Sequence, residues 1–150
     1  MKKIAIGSDH GGFELKEEIK NFLLKEGYEV KDFGTNSNSS CDYPDYAIPV
    51  AEAVAAKEFE FGILICGTGI GIGIAANKVP GVRAALCSDT FSAHATREHN
   101  NANILTLGQR VVGPGLALDI VKTFLNTEFE GGRHQNRIDK IAEIEKKYNK

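Results

Sequence analysis

The stretch from Gly62 to Lys78, GILICGTGIGIGIAANK, constrains the fold of this chain more than any other part of it. The apolar run at 63–65 is typical of a β-strand that is buried on both faces. Glycines then occupy the alternate positions 67, 69, 71 and 73, before a segment at 74–78 that we predict to be helical. Because glycine lets the backbone turn sharply, successive N–H groups can point at one spot beside a helix N-terminus. The stretch therefore predicts an anion-binding turn between a strand and a helix.

A cysteine and a threonine lie in this turn. Cys66 follows the strand directly, and Thr68 comes two residues later. The helix dipole and the backbone amides that hold an anion also favour a thiolate, so Cys66 is a candidate base or nucleophile. Two plainer interpretations stay open on these residues alone. A lone cysteine is more often a small buried hydrophobic residue, and a glycine-rich turn often serves only to let a helix pack closely.

A dinucleotide-binding turn is a further interpretation of the same glycines. Gly67, Gly69 and Gly71 supply G-x-G-x-G, but Ile72 stands where that fingerprint requires its third glycine. Asp89, near the end of the next predicted strand, could still act as the ribose-binding acid. No G-K-[ST] follows the glycines, which excludes a nucleotide P-loop. A nucleotide-binding module on a parallel sheet therefore remains an alternative.

Composition narrows the class of protein. The chain has 150 residues and a formal net charge of -2, which offers no broad attraction to nucleic acid or to a membrane. Its three cysteines form no C-x-x-C pair and its histidines no H-x-x-x-H pair, so we expect neither a disulfide framework nor a metal site. The first predicted strand begins at the N-terminus and no apolar run reaches membrane-spanning length, so we expect no signal peptide. We predict one domain over residues 1–150, cytoplasmic, without metal or cofactor.

Strands and helices alternate along the whole chain. We predict strands at 3–8, 28–33, 63–65, 83–87 and 103–107. We predict three helices in the first half of the chain, from Gly11-Gly12 to Gly27, from Asp42 to about Lys57 and at 74–78. We predict three more in the second half: one from Asp89 or Thr90 to about His99, one that starts at 113–115, and one that follows a polar joint at 130–136 and ends near Tyr148. This alternation predicts a doubly wound parallel sheet between two layers of helices.

That architecture predicts where a ligand binds. Ligands of open parallel sheets bind beyond the carboxyl ends of the strands, at the point where the strand order changes direction. If the first and third strands are neighbours, Asp9 and His10 converge there with Cys66 and Thr68. His10 by itself is as readily an ordinary loop histidine. Its position opposite a second glycine-rich turn favours the catalytic interpretation.

Two arginines near the C-terminus indicate a phosphate. Arg133 and Arg137 lie four residues apart on one helix face, just where a helix is about to begin. The helix dipole disfavours a positive charge there by about 0.3–1 kcal/mol each, and a bound phosphate would reverse that cost. A solvated charged face is the plainer alternative. His99 also has a plain explanation, because a histidine at the end of a predicted helix suits the dipole.

With these residues assembled, the sequence closely resembles the type B ribose-5-phosphate isomerase family, which also includes galactose-6-phosphate isomerase subunits. The resemblance runs nearly from end to end and rests on six motifs in register: G-S-D-H-G-G at 7–12, D-Y-P-D at 42–45, C-G-T-G-I-G at 66–71, R-E-H-N-N-A-N at 97–103, L-G-Q-R at 107–110 and G-G-R-H-Q-N-R at 131–137. It implies a three-layer α/β/α Rossmann-like sandwich with a five-stranded parallel sheet of order 2-1-3-5-4. It also implies metal-free interconversion of ribose 5-phosphate and ribulose 5-phosphate through an enediolate.

The resemblance further implies a role for each site residue. Cys66 would be the base that moves the proton between C1 and C2, and Thr68 would assist the hydroxyl proton shifts. Some family members use a glutamate base further along the glycine-rich loop instead of the cysteine, but this chain has no acidic residue at 66–76. His99 would open the furanose ring and Asp9 would hold sugar hydroxyls. The other implied contacts are Asn100 and the amides of Gly67, Gly69 and Gly71 for the enediolate, His10, Arg110, Arg133 and Arg137 for the phosphate, and Tyr43 for the sugar.

Substrate length and subunit arrangement complete these expectations. The nearest alternative is the same chemistry on allose 6-phosphate or galactose 6-phosphate, because a pocket discriminates one methylene weakly. The resemblance also implies a two-fold homodimer in which the neighbouring subunit completes each site, and it leaves open whether such dimers pair into tetramers. His99 follows the helix after strand four, at the far edge of the sheet. The resemblance therefore implies that His99 serves the site of the partner subunit.

Overall fold

The computed structural model describes residues 2–149. Within that range, five strands form one sheet: β1 Lys3–Ser8, β2 Glu29–Asp32, β3 Phe61–Cys66, β4 Ala84–Leu86 and β5 Ile104–Gly108. Their order is β2-β1-β3-β5-β4, and all four pairings are parallel. The strand order implied by the resemblance is therefore confirmed.

Six α-helices accompany these strands in the described part of the chain: α1 Phe13–Lys25, α2 Tyr43–Ala55, α3 Ile70–Ala76, α4 Thr90–Ala95, α5 Pro114–Asn126 and α6 Arg133–Tyr148. A 3₁₀ turn, His10–Gly12, precedes α1, and a π-helical turn, Thr96–Asn100, continues α4. None of the helices within residues 2–149 is both long and apolar enough to cross a membrane.

Two helices begin earlier than the sequence predicts. The α3 helix begins at Ile70 because Gly69 completes the turn in the left-handed region, with a φ of 79°. The α6 helix begins at Arg133, directly after Gly132 with a φ of 57°, so the polar joint ends before 133. Both arginines of the pair therefore lie on the first two turns of α6.

The sheet is covered on both faces, which confirms the three-layer arrangement. Successive residues of β3 point to opposite sides, so Ile63 and Ile65 pack in one core while Leu64 and Cys66 pack in the other. The first core contains buried residues of α1, α4 and α5, and the second contains buried residues of α2 and α3. The side chain of Cys66 is thereby on the α2–α3 face.

A buried ion pair fixes the loop after β2. The Nζ atom of Lys16, whose residue has 0% exposure, lies 2.6 Å from Oδ2 of Asp32. The other carboxylate oxygen of Asp32 accepts a hydrogen bond from the amide of Gly34 at 2.8 Å. The carbonyl of Gly34 in turn accepts from the amide of Ser8 at 2.7 Å. This chain of contacts anchors the loop against the carboxyl end of β1.

Candidate active site

The carboxyl ends of β1 and β3 lie side by side, as the sequence predicts. Ser8 pairs with Ile65, and the amide of Asp9 donates to the carbonyl of Ile65 at 3.3 Å. Asp9 and His10 therefore stand next to the turn that contains Cys66 and Thr68. This is the point where the strand order changes direction, the usual ligand site of such sheets.

The turn after β3 holds the Cys66 thiol in a defined position. Cys66 is 5% exposed, and its Sγ accepts a hydrogen bond from the amide of Gly69 at 3.1 Å. The Oγ1 of Thr68 accepts from the amide of Ile70 at 3.2 Å. Only glycine fits at position 69, because its φ is 79° and a Cβ there would lie 2.7 Å from the carbonyl carbon of Leu107. The thiol thus accepts a backbone amide hydrogen bond within a turn that requires glycine at position 69.

The loop after β5 brings Arg110 to this turn. The amide of Gln109 donates to the carbonyl of Cys66, and the amide of Arg110 donates to the carbonyl of Gly67, both at 3.0 Å. The Oε1 atom of Gln109 also accepts from the amide of Leu15 at 2.9 Å. Gln109 is thus a positioning residue without an assigned role in the sequence analysis, although it lies in the L-G-Q-R motif.

Tyr43 and His10 also lie close to this turn. The Tyr43 ring packs so close to Gly71 that a Cβ at position 71 would lie 2.8 Å from Cζ of the tyrosine. The Nδ1 of His10 lies 3.2 Å from the amide nitrogen of Cys41 and accepts its hydrogen bond. A neutral His10 ring therefore has its proton on Nε2, free to donate to a ligand.

Asp9 carries an unsatisfied buried oxygen at the same place. The residue is 7% exposed, and its Oδ1 has no hydrogen-bond partner within the described residues. A buried acceptor without a donor costs about 1–3 kcal/mol, which a ligand hydroxyl would recover. The group that converges here is named the Cys66 cluster: Asp9, His10, Tyr43, Cys66, Thr68 and Arg110.

A second cluster forms around His99 in the π-helical turn. The rings of His99 and His134 are stacked, with centroids 4.5 Å apart and planes inclined by 20°. An oxygen of Glu130 lies 3.3 Å from Nε2 of His134 and 3.8 Å from Nε2 of His99. The backbone holds the cluster together, because the amide of Glu130 donates to the carbonyl of Glu98 at 3.1 Å.

This second group, the His99 cluster, comprises His99, Asn100, Glu130, Arg133, His134 and Arg137. Asn100 is fixed through its Oδ1, which accepts from the Oγ1 of Thr96 at 3.0 Å. Arg133 and Arg137 are exposed on α6. Within residues 2–149 neither of them, nor Arg110, forms an ion pair with a carboxylate. Three unpaired guanidinium groups suit an anionic ligand.

A single chain does not bring the two clusters together. Cys66 pairs with Gly108 at the carboxyl end of β5, whereas the π-helical turn leads through 101–103 into Ile104 at its amino end. The four steps from Ile104 to Gly108 along β5 span about 13 Å at roughly 3.3 Å per residue. The helix that leads into the turn with His99, α4, also packs on the sheet face opposite the Cys66 side chain.

The His99 cluster contains a group of side chains that the sequence patterns did not bring together. The ligand atoms of His99, Glu130 and His134 all lie within 4.8 Å of one another. His134 and Glu130 were not among the candidate site residues named from the sequence. The four-residue spacing of Glu130 and His134 was the available signal, whereas their proximity to His99 depends on how α6 packs.

A cavity of about 700 Å³ lies at the opposite edge of the sheet from Cys66. Its lining includes Lys3 and Phe61, the first residues of β1 and β3. Ligands of parallel sheets bind at the carboxyl ends of strands, so we place the active site at the Cys66 cluster rather than in this cavity.

The fold defines a Rossmann-like α/β protein, and the Cys66 cluster is its candidate small-molecule site, where the strand order changes direction. Residues 4–141 match the sequence profile of the family described as Ribose/Galactose Isomerase. The chain belongs to this family.

Two relatives show how similar the family members are. Ribose-5-phosphate isomerase B of Escherichia coli is 54% identical over 149 residues, which covers 99% of this chain and 100% of the relative. D-erythrulose-4-phosphate isomerase of Pectobacterium atrosepticum is 44% identical over 146 residues, which covers 97% of this chain and 96% of the relative.

Solved structures agree with this assignment. Ribose-5-phosphate isomerase B of Clostridium thermocellum superposes with a TM-score of 0.97 at 65% identity, covering 98% of this chain and 99% of that one. The enzyme of the same name from Mycoplasma genitalium, with ribulose-5-phosphate bound, superposes with a TM-score of 0.93 at 47% identity, covering 96% of both chains.

Proposed function

We propose that this protein is an aldose–ketose isomerase that interconverts D-ribose 5-phosphate and D-ribulose 5-phosphate through an enediolate. The observation that carries the proposal is the Cys66 thiol, which accepts a hydrogen bond from the Gly69 amide of a glycine-rich turn and lies at the same strand ends as the unpaired carboxylate oxygen of Asp9. Family membership and a related structure with ribulose-5-phosphate bound support the choice of substrate. The same comparisons disfavour the nucleotide-binding module.

Cys66 is the proposed base of the isomerisation. As a thiolate it removes the proton from C2 of the open-chain aldose, the C1–C2 double bond forms, and the electron pair of the carbonyl moves to O1. Return of the proton to C1 gives the ketose, while Thr68 transfers the hydroxyl proton between O2 and O1. The amides of Gly67, Gly69 and Gly71 hold the negative oxygen as it develops.

The ring must open before this proton transfer. We assign ring opening to His99, with Asp9 accepting hydrogen bonds from sugar hydroxyls and Asn100 steadying the enediolate. The buried, unpaired Oδ1 of Asp9 supports its part of the assignment, because a hydroxyl donor would satisfy it.

The phosphate is assigned to the cationic groups of both clusters. His10 and Arg110 contribute from the Cys66 cluster, Arg133 and Arg137 from the His99 cluster, and Tyr43 lines the sugar. The absence of ion pairs to the three arginines within residues 2–149 supports this role, since charge-assisted contacts to phosphate compensate such charges. Nothing in the proposed reaction calls for a cofactor.

A homodimer is the proposed active form. Cys66 lies beside the carboxyl end of β5, whereas the turn with His99 precedes the amino end of this strand, about 13 Å away along it. This separation supports a site in which His99 and Cys66 of one chain do not act on the same sugar. A two-fold pair would place the His99 cluster of each subunit over the Cys66 cluster of the other and make two equivalent sites. Such dimers can pair into tetramers. A reducing, cytoplasmic compartment suits a catalytic thiol that must stay unoxidised.

A turnover assay on a series of sugar phosphates tests the proposal. Ribose 5-phosphate should give the highest kcat/KM, with allose 6-phosphate and galactose 6-phosphate as the six-carbon alternatives. D-erythrulose 4-phosphate belongs in the series because a relative at 44% identity is named for it. A higher kcat/KM on a four- or six-carbon sugar phosphate would support the isomerase reaction but reject ribose 5-phosphate as the preferred substrate. No turnover on any of them would reject the isomerase.

A further inference from the structure

We propose that His99, Glu130 and His134 form a binding site for a divalent transition-metal ion of the Zn²⁺ type, and that the bound ion inhibits the enzyme. The inhibitory part rests on the proposed function, which assigns ring opening to His99. The binding part rests on the geometry of the three side chains alone.

The three ligand atoms are already close to the spacing that zinc requires. Tetrahedral ligands at about 2.0–2.1 Å from the metal lie roughly 3.3 Å from one another. Nε2 of His134 and Oε1 of Glu130 are 3.3 Å apart, and Nε2 of His99 is 3.8 Å from the same oxygen. All three atoms lie within 4.8 Å, so small side-chain rotations of the exposed His99 and Glu130 complete the set.

The chemistry of the set selects the kind of ion. Two imidazole nitrogens and one carboxylate oxygen suit Zn²⁺ and its transition-metal neighbours, whereas Mg²⁺ and Ca²⁺ prefer oxygen ligands. Three protein ligands leave a fourth position open to water, as in mononuclear zinc sites. Glu130 supplies the only negative charge among these three ligands, so its charge should contribute strongly to the affinity for a cation.

Hydrogen bonds from a buried arginine hold together the two backbone segments that carry the metal ligands. Arg97, 6% exposed, donates to the carbonyls of Thr127 and Ala102 at 3.2 and 2.7 Å, which ties the π-helical turn to the segment that leads to Glu130. The His134 side chain is 9% exposed, whereas those of His99 and Glu130 are 46% and 52% exposed. In the single chain, one ligand is thus anchored in the protein while the other two are exposed on the surface, where the proposed dimer would have them face the sugar site of the partner subunit.

Metal binding would remove His99 from catalysis. A lone pair of Nε2 that coordinates a metal can neither accept nor transfer a proton, so ring opening at the partner's site would stop. Because each ion occupies one His99, inhibition should follow occupancy and be reversed by a chelator.

Titration of the metal-free protein with Co²⁺ tests the site without any activity measurement. We expect one Co²⁺ per chain, with visible d–d bands of nitrogen and oxygen coordination and no thiolate charge-transfer band. Glu130→Gln preserves shape at an exposed position and should weaken binding at least about tenfold. Glu128→Gln, also exposed, is the matched control and should bind like the unaltered protein. Equal affinity of Glu130→Gln, or a thiolate band from Cys66 or Cys41, would overturn the site.

Inhibition by Zn²⁺ is then measured with the same variants. The unaltered enzyme and Glu128→Gln should lose turnover at the same Zn²⁺ concentration and recover it with chelator, with Mg²⁺ as an ineffective control. Glu130→Gln should need at least about ten times more Zn²⁺. Glu130-dependent Co²⁺ binding without Zn²⁺ inhibition would reject the inhibitory part alone. If no sugar phosphate is turned over, the proposed function fails while the Co²⁺ titration still decides the metal site.

Discussion

The Sγ atom of Cys66 lies 3.1 Å from the amide nitrogen of Gly69 and accepts its hydrogen bond. The Gly69 amide is one of those proposed to hold the enediolate, so this contact places the thiol beside the proposed position of the enediolate oxygen. Cys66→Ala removes the base and should lower turnover at least about 10³-fold in a protein that remains folded. Steady-state kinetics together with circular dichroism check this. Retention of more than about a tenth of the activity would reject Cys66 as the base.

The other two cysteines provide the control for that prediction. Burial, with a smaller contribution from Asp89, raises the pKa of Cys87 to about 11. Because only the thiolate is nucleophilic and the Cys87 side chain is buried, Cys87 should resist alkylation at neutral pH. Cys87→Ala and Cys41→Ser should keep their activity, and substrate should slow the alkylation of Cys66. If substrate does not change the rate at which Cys66 is alkylated, the sugar does not bind next to Cys66.

Arg137→Ala tests the phosphate assignment. Loss of a charge-assisted contact to phosphate should cost about 1.5–3 kcal/mol, which is roughly a 10- to 150-fold weaker binding of ribose 5-phosphate. Lys140→Ala, three residues further along the same helix, removes an equal charge and should leave binding unchanged. Calorimetric titration of ribose 5-phosphate compares the two variants. Equal affinities would mean that the arginines form only a solvated face.

Cys66→Ala and His99→Ala together test the shared site. Each variant should be nearly inactive alone, but a mixed dimer carries both lesions in one site and neither in the other. Random pairing after joint unfolding and refolding gives about half mixed dimers, so activity should recover to roughly a quarter of normal. Native mass spectrometry confirms the mixed species. Mixed dimers without activity would show that both residues act within one chain.

The Lys16–Asp32 pair predicts a pH-dependent stability. Burial acts to raise the pKa of Asp32, but hydrogen bonds from Lys16, the Gly34 amide and Lys20 outweigh it and lower the pKa below its usual value. A lowered carboxyl pKa stabilises the fold above the unfolded value of about 3.9, and this contribution disappears as the pH falls through the folded-state pKa.

Asp32→Ala should therefore destabilise the protein by about 3–5 kcal/mol at neutral pH, because it leaves the Lys16 charge buried with less compensation. The half-exposed partner Glu17 is the control, and Glu17→Ala should cost about 1 kcal/mol or less. Urea unfolding at several pH values measures both, and the Asp32→Ala curve should approach that of the unaltered protein in acid. A constant difference at all pH values would contradict the role of this pair.

The sequence by itself determined the alternation of strands and helices and the place of the site. Buried apolar runs, periodic helix faces and alternate glycines are local patterns, so they are readable without the fold. Cys66, Thr68, Asp9 and His10 could be grouped because the carboxyl ends of neighbouring parallel strands meet at one edge. The strand order came from six motifs that match the family in register.

Only the tertiary structure decided which distant side chains meet. The stacking of His99 on His134, the approach of Glu130 to both, and the contact of Gln109 with α1 depend on how α6 and the loop after β5 pack. The structure also places His99 at the amino end of β5 and Cys66 beside its carboxyl end. Such proximity arises from packing between elements remote in the chain, whereas sequence patterns report each element's own conformation and buried face.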